Sequence, residues 1–359
     1  MSRRAAILSY SLGTGHRRVA ELLVSELGGL GVEASHSALE EWVPWDYDLL
    51  FRRGYLLLAL RWQRVWDWMY ASPAFSSREA LGLPTQRRRA ARAFAGRGFP
   101  AAGLVVATQY NAMEVAADWK KFYGGPLALA AVLTDYDLYP LWVRPEVDLF
   151  LVPHEELRDR LASRGVEPGR VAVTGLPIAP AFEAPRDGRA VRESLGLRAE
   201  GPVVLVAGGG LGSGPMEEAV RACLQAQGWR VVAVCGRNEA LRRALVPLAQ
   251  AEPGRLRVLG YRDDMPDLLA ASDVVVTKGG GLSLTEALYA GKAVVALPGL
   301  PGQERANIAF MAGRGWVTAC EGPWALQGIL ERGPAPLPAC PLPPSPAARA
   351  AAALAQLVL

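Results

Sequence analysis

A chain of 359 residues, 51% hydrophobic and 21% charged, has apolar material for about two domain cores and cannot be globally disordered. Its four cysteines (Cys223, Cys235, Cys320, Cys340) form no CxxC pair, which argues against a disulfide scaffold or a zinc cluster and fits a reducing compartment. The net charge of +4 is uneven: from Arg52 to Arg97 ten arginines meet only Asp67 and Glu79, so this window carries +8 and the remainder −4.

The N-terminal run reads as a first strand, Ala5–Ser9, rather than a signal peptide, and no stretch approaches the ~20 apolar residues that span a bilayer. Ser9-Tyr-Ser-Leu-Gly-Thr-Gly-His16 follows it. Gly13 and Gly15 allow a sharp turn, the next helix start favours anions, and His16 sits there as a base or donor. Arg18 stands where GxGxxG needs its last glycine, so a dinucleotide site is disfavoured.

Leu49–Tyr70 interleaves aromatic residues (Trp62, Trp66, Trp68) with Arg52, Arg53, Arg61 and Arg64. Trp62 and Trp66 are four apart and share a helix face. Such a helix suits the headgroup layer of an anionic membrane. The alternative is a helix packed in a groove with solvated arginines. Nucleic acid is disfavoured, because no binding-module pattern accompanies the charge.

Strands are predicted next at Leu104–Thr108, Ala128–Leu133, Leu149–Val152 and Val171–Thr174, then at Val203–Ala207, Val231–Cys235, Arg257–Gly260, Val274–Thr277 and Ala293–Leu297. Continuous apolar runs imply parallel sheets covered on both faces by helices. After the third predicted strand comes Thr134-Asp-Tyr-Asp-Leu-Tyr-Pro-Leu-Trp142. Asp135 at a strand end can accept a proton from an alcohol, or it caps a helix. With Asp137 it also matches a DxD metal pattern, but two acids without a nearby His make a poor metal site.

AILSYSLGTGH and VVLVAGGGLGSG begin the two halves alike, as strand, glycine turn and helix, which predicts two doubly wound domains. The predicted organisation is residues 1–178, a linker at 179–200, a second domain at 201–332, a Pro/Ala-rich linker at 333–346 and a C-terminal helix at 347–359. Gly208 and Gly209 open the second glycine loop, and Cys235-Gly-Arg-Asn238 brings Arg237. Thr277-Lys-Gly-Gly-Gly-Leu-Ser-Leu-Thr-Glu286 leads from a strand into a helix and makes an anion-binding start that is no P-loop. Glu286 can hold a diol, and Gln303 and Glu304 of Pro301-Gly-Gln-Glu-Arg-Ala-Asn307 suit sugar hydroxyls. Tight turns and solvated helix starts are the plainer readings of the same residues.

In order, SLGTGH, TDYDLYPLW, VDLFLVPHEEL, VTGLPIAPAF, GGGLGSG, CGRNEAL, TKGGGLSLTEAL and PGQERAN resemble glycosyltransferase family 28 from about Ala5 to Arg314. The lipid-glycosylating branch, which includes the monogalactosyldiacylglycerol synthases and the processive diacylglycerol glucosyltransferases, is the more similar one. The resemblance implies an α/β fold of the GT-B kind. In it two Rossmann-like doubly wound domains face each other across a cleft, and the C-terminal helix crosses back to the first.

The activity implied is inverting, metal-independent transfer of a hexose from a UDP-sugar to diacylglycerol or a related lipid, with no bound cofactor. The expected location is peripheral, on the cytoplasmic face of the cell membrane, against an anionic surface. The alternatives are a peptidoglycan-type N-acetylglucosaminyl transferase acting on an undecaprenyl-linked acceptor and a catalytically silent GT-B nucleotide-sugar- or lipid-binding protein. By motif, Asp135 is the base with His16 beside it. Lys278, Gly280, Gly281, Ser283, Thr285 and Glu286 bind diphosphate and ribose. Gly302, Gln303, Glu304 and Asn307 bind the donor sugar, and Tyr261 and Met265 line the uracil pocket. Tyr139 stands where that branch usually has a His, Gly279 where it has a Pro, and Ser283 where it has a Thr.

Overall fold

The computed structural model describes residues 3–11, 13–54, 57, 62, 65, 68, 83–97, 103–125, 128–197, 201–300, 302–334, 340 and 342–358. The chain forms two compact units, Met1–Ala179 with Leu342–Leu359, and Pro180–Pro341.

The first unit holds a six-stranded parallel sheet in the order β2-β1-β3-β4-β5-β6. Its strands are β1 (Arg4–Ser9), β2 (Glu33–Ala38), β3 (Leu104–Ala107), β4 (Ala128–Val132), β5 (Leu149–Val152) and β6 (Val171–Val173). β3 and β4 are buried along their whole length and β1 beyond its first residue, as continuous apolar runs require of a sheet covered on both faces. β2, Glu-Ala-Ser-His-Ser-Ala, is an unforeseen edge strand. It is polar because its outer side is exposed, so it carries no apolar run to read.

The second unit repeats the plan in the order β12-β11-β10-β7-β8-β9, again all parallel. The strands are β7 (Val203–Ala207), β8 (Arg230–Val234), β9 (Leu256–Leu259), β10 (Val274–Lys278), β11 (Ala293–Leu297) and β12 (Thr318–Ala319). The last has two residues and no pattern to detect.

One predicted boundary changes, and the C-terminal helix falls in the first unit as the resemblance implies. The segment after Ala179 belongs to the second unit rather than to a free linker. Its helix Gly188–Ser194 packs on Met265–Ala270, and a Cβ on Gly188 would overlap the Ala270 carbonyl. The C-terminal helix, Pro346–Ala355, joins the first unit on the helix Gly15–Gly29. Ala347, Ala350, Ala351 and Leu354 form its buried stripe at i, i+3, i+4 and i+7. Arg349 adds a hydrogen bond to the Val173 carbonyl at 3.1 Å, and Arg3 donates to that of Ala355 at 3.2 Å.

Candidate functional site

Ligands of doubly wound sheets bind beyond the carboxyl ends of the strands, where the strand order reverses. In the first unit that point lies between β1 and β3, and His16 and Thr108 meet there. His16 Nδ1 is 2.8 Å from the Thr108 carbonyl oxygen and 3.1 Å from the Thr134 hydroxyl. A carbonyl only accepts, so Nδ1 carries the proton and the lone pair of the neutral ring lies on Nε2. The Thr108 hydroxyl donates back to the carbonyls of His16 (3.0 Å) and Leu8 (3.3 Å), which ties the helix start to the strand ends. Gly13 supplies the turn at φ +144°, in the left-handed half of the map.

Burial pushes the His16 pKa down, outweighing the opposing pull of the Asp135 carboxylate and the bond to Thr108. The ring is therefore neutral at neutral pH, with Asp135 placed to stabilise it once protonated. A His whose folded pKa lies below its unfolded value leaves the unfolded chain binding more protons below about pH 6.5. Stability contributed by keeping His16 neutral is full above that pH and is lost as the pH falls. We expect the His16 resonances to titrate below a free histidine, and Asp135→Asn to lower that midpoint further, as read by NMR. An unchanged midpoint in the variant would separate the two groups.

In the second unit the order reverses between β7 and β10, where Gly208–Gly214 and Lys278 follow the strands. A Cβ on Gly209 (φ +68°) would lie 3.8 Å from Lys278 Cε, so the second glycine loop and the Lys278 turn share one place. Arg237 donates its backbone N–H to the Gly210 carbonyl (3.0 Å), and its guanidinium lies 5.0 Å over the Tyr261 ring. Asn238 braces the loop through Gly212 O at 3.0 Å while capping its own helix at Leu241 N. Gly212 has φ +58°, and a Cβ there would overlap the Cys235 carbonyl oxygen. Gly212→Ala should therefore destabilise this unit by about 1–3 kcal/mol from the backbone alone, measured as a lowered unfolding midpoint. A midpoint equal to the parent's would show that the loop relaxes.

The start of the helix Gly281–Tyr289 is open: Gly280 has an ordinary φ and no atom within 4 Å of an added Cβ. Gly279 is different, because a Cβ there would overlap the Glu304 carbonyl. The departure from Pro at that position thus accompanies the close approach of the helix Gln303–Ala312. Glu304 accepts from Lys278 at 2.5 Å with one oxygen and from the Leu300 N–H at 2.7 Å with the other. Gly302 turns at φ +90° before the half-buried Gln303, while Ser283 and Met265 are partly exposed.

Three expectations need correction. Thr285 and Asn307 show no exposed surface: the Thr285 hydroxyl donates to Gly281 O (2.7 Å) and the Asn307 amide to Gly279 O (3.0 Å). They brace the turn rather than line an opening. Arg52 is not a free surface charge, because both ends of its fork hold Asp48, at 2.7 and 2.5 Å, and Tyr10 also donates to that carboxylate at 3.3 Å. Residues Leu49–Gly54 form a π-helical turn. Trp62 and Trp68 are exposed, whereas Arg61, Arg64 and Trp66 lie outside the described residues. Trp45, which the sequence reading passed over, is 78% exposed, and Leu49 and Leu50, shortly after it in the chain, are exposed to a lesser degree.

The similarities to known proteins fall on these same segments. Residues 104–178 match the monogalactosyldiacylglycerol (MGDG) synthase family model, and residues 203–306 match the glycosyltransferase family 28 C-terminal domain. These two segments are therefore similar to family 28 glycosyltransferases of the MGDG-synthase type. Among curated proteins, a processive diacylglycerol beta-glucosyltransferase of Bacillus pumilus is 33% identical over 199 residues, covering 55% of this chain and 52% of that one. The protein of the same name from Bacillus subtilis is 31% identical over 204 residues, covering 56% and 53%. The chain thus spans about half the length of the curated relatives it matches.

Acinetobacter baumannii MurG superposes over 98% of this chain and 94% of its own, with TM-score 0.57 and 15% identity. Anabaena HepE, solved with UDP-glucose, gives TM-score 0.53 over 99% and 95%, also at 15% identity. A UDP-N-acetylglucosamine 2-epimerase gives 0.56 over 98% and 94%, at 16% identity. At such identities the likeness speaks for the fold alone, and that fold is GT-B.

Proposed function

We propose that this protein moves a hexose from a UDP-sugar to the hydroxyl of diacylglycerol or a related membrane lipid, with inversion at the sugar carbon. One observation carries the reading: His16 holds its Nδ1 proton against Thr108, leaving Nε2 as acceptor, within the field of the Asp135 carboxylate and at the strand-order reversal of the first unit. The likeness to diacylglycerol glucosyltransferases supplies the acceptor class.

In the proposed reaction the acceptor O–H gives its proton to the His16–Asp135 pair. The oxygen forms a bond to C1 of the sugar, and the C1–O bond to the diphosphate breaks with its electron pair leaving on UDP. The second unit binds the donor. Lys278 and the N–H groups of the helix's first turn, from Gly281 on, meet the developing diphosphate charge, so the proposed chemistry needs no metal. Tyr261 and Arg237 offer a stacked pair to the base, and Glu286, Gln303 and Glu304 offer oxygens and an amide to ribose and sugar. Lys278 is paired with Glu304, so a diphosphate competes with a carboxylate for that ammonium.

The exposed Trp45, Leu49, Leu50, Trp62 and Trp68, together with the exposed Arg53, support the reading that the protein docks to an anionic bilayer. Among the described residues no helix is long and apolar enough to cross a membrane.

The direct test incubates the protein with anionic vesicles containing diacylglycerol and an undecaprenyl-linked acceptor, and with labelled UDP-glucose, UDP-galactose or UDP-N-acetylglucosamine. Labelled hexose in the diacylglycerol fraction is expected. Label only on an undecaprenyl-linked acceptor, or conversion of the UDP-sugar without any lipid product, would overturn the assignment. Gly280→Ala is a companion measurement. Its methyl enters open space, so the unfolding midpoint should hold while UDP affinity drops about tenfold or more, because the methyl stands where the diphosphate must approach the helix start and holds it off the N–H groups there. Unchanged UDP affinity would remove the helix start from the donor site.

A further inference from the structure

We propose that His154 and Arg160 are positioning residues that clamp the turn carrying Asp135. The inference rests on the reading of Asp135 as part of the proton-accepting pair, and it concerns the turn's geometry rather than the acceptor's identity. His154 occupies the N-cap of the helix Glu155–Ala162, where a short polar side chain normally accepts from the helix's first N–H groups. The His154 ring makes no such bond. It reaches instead to the turn after β4, where Nε2 lies 3.0 Å from the Tyr136 carbonyl oxygen. That carbonyl only accepts, so Nε2–H donates. The imidazole also stacks on the Tyr136 ring at an interplanar angle of 11° and a centroid distance of 5.7 Å, with both residues buried.

Farther along the same helix, Arg160 Nη1 binds Asp137 Oδ1 at 2.5 Å. The residue before Asp135 is held as well, since the Thr134 hydroxyl lies 3.1 Å from His16 Nδ1. Asp135 is thus a half-exposed member of a turn fixed on both sides: by His16 at 134, by His154 at the 136 carbonyl and ring, and by Arg160 at the 137 carboxylate. A misplacement of about 1 Å in a reacting group costs on the order of 10²-fold in rate, which gives the clamp a role in turnover.

Two substitutions divide the bond from the stack. His154→Phe keeps an aromatic ring against Tyr136 and removes the donor, whereas His154→Gln keeps an amide donor and removes the ring. The chain has three histidines, so either variant leaves only His16 and His36 to follow by NMR. With His154→Phe the Asp135 carboxylate moves off His16, so the His16 titration midpoint should fall. Turnover should fall by about 10- to 100-fold with the KM for the sugar nucleotide unchanged. His154→Gln should restore most of both.

A His16 midpoint in His154→Phe equal to the parent's, or equal losses in the two variants, would overturn the clamp. If the parent protein transfers sugar to no lipid, the proposed function fails, and the His16 midpoint still decides the clamp. Should His154→Phe not fold, Arg160→Leu against Arg160→Lys answers the same question at a partly exposed position, through the same midpoint.

Discussion

Asp135→Asn should lower sugar transfer by about 10²–10⁴-fold, the usual contribution of a positioned proton acceptor, and leave UDP affinity intact. The substitution keeps the shape of the side chain and removes its charge. His16 then loses the group that favours its protonated form, while burial continues to favour the neutral one. His16→Ala should cost about as much as Asp135→Asn, because each variant disables the same proton-accepting unit. Groups that act together give losses far from additive, so the double variant should be little worse than either single one. Turnover measured on the four proteins closes that cycle. Losses that multiply would mean that two independent groups work on the acceptor, and undiminished transfer by Asp135→Asn would remove the carboxylate from the chemistry. UDP titration serves as the control, since Lys278, the Gly208–Gly214 loop and the Gly279–Gly281 turn belong to the other unit.

How far the sequence foreshadowed this arrangement varied with the kind of residue involved. Apolar runs such as Val203–Ala207 and Leu149–Val152 announced buried strands because a doubly covered sheet leaves no polar face. β2 escaped because an exposed edge demands nothing apolar of it. The glycine turns were legible as places of close approach, but not the contact each one serves. Gly279 read as a mild departure from Pro until the Glu304 backbone was seen against it. His16 stood out by its place after a glycine turn. His154 carries one local signal in the sequence, an imidazole at a helix N-cap that ordinarily favours Ser, Thr, Asp or Asn. Its bond to Tyr136 spans 18 residues, and no local pattern encodes it. The same holds for the Arg52 fork, which looked like surface charge because Asp48 and Tyr10 are gathered to it only by the fold.

Arg144→Ala should be the most damaging single change to the first unit, lowering its stability by about 3–5 kcal/mol. Arg144 follows the turn of Pro140–Trp142, and its side chain is 5% exposed. It donates to Asp118 at 2.7 Å and to Glu146 at 2.8 Å, with Glu114 at 3.4 Å. Arg87 binds Glu114 and Asp118 from the other side at 2.6 Å each, and Lys121 reaches Glu146 at 3.2 Å. Three acids thus face three bases, and deleting Arg144 leaves nearly inaccessible carboxylates with a single buried guanidinium between them.

Burial alone would raise the Glu146 pKa, but the bonds from Arg144 outweigh it and hold the carboxyl below its ordinary value. A carboxyl depressed in the folded state stabilises above its unfolded pKa, and that stability is lost as the pH falls through the folded one. Arg144→Ala should therefore also flatten the acid limb of the stability curve. Lys121→Ala is the comparison at the exposed rim of the same network, where an ion pair contributes about 0–1 kcal/mol. The two units make a single unfolding free energy ill-defined, so the transition of the first unit is the one to follow, with a fluorescence or exchange probe in it. Equal shifts for the two variants would show that the buried network holds the turn after Tyr139 no more firmly than a solvated pair does.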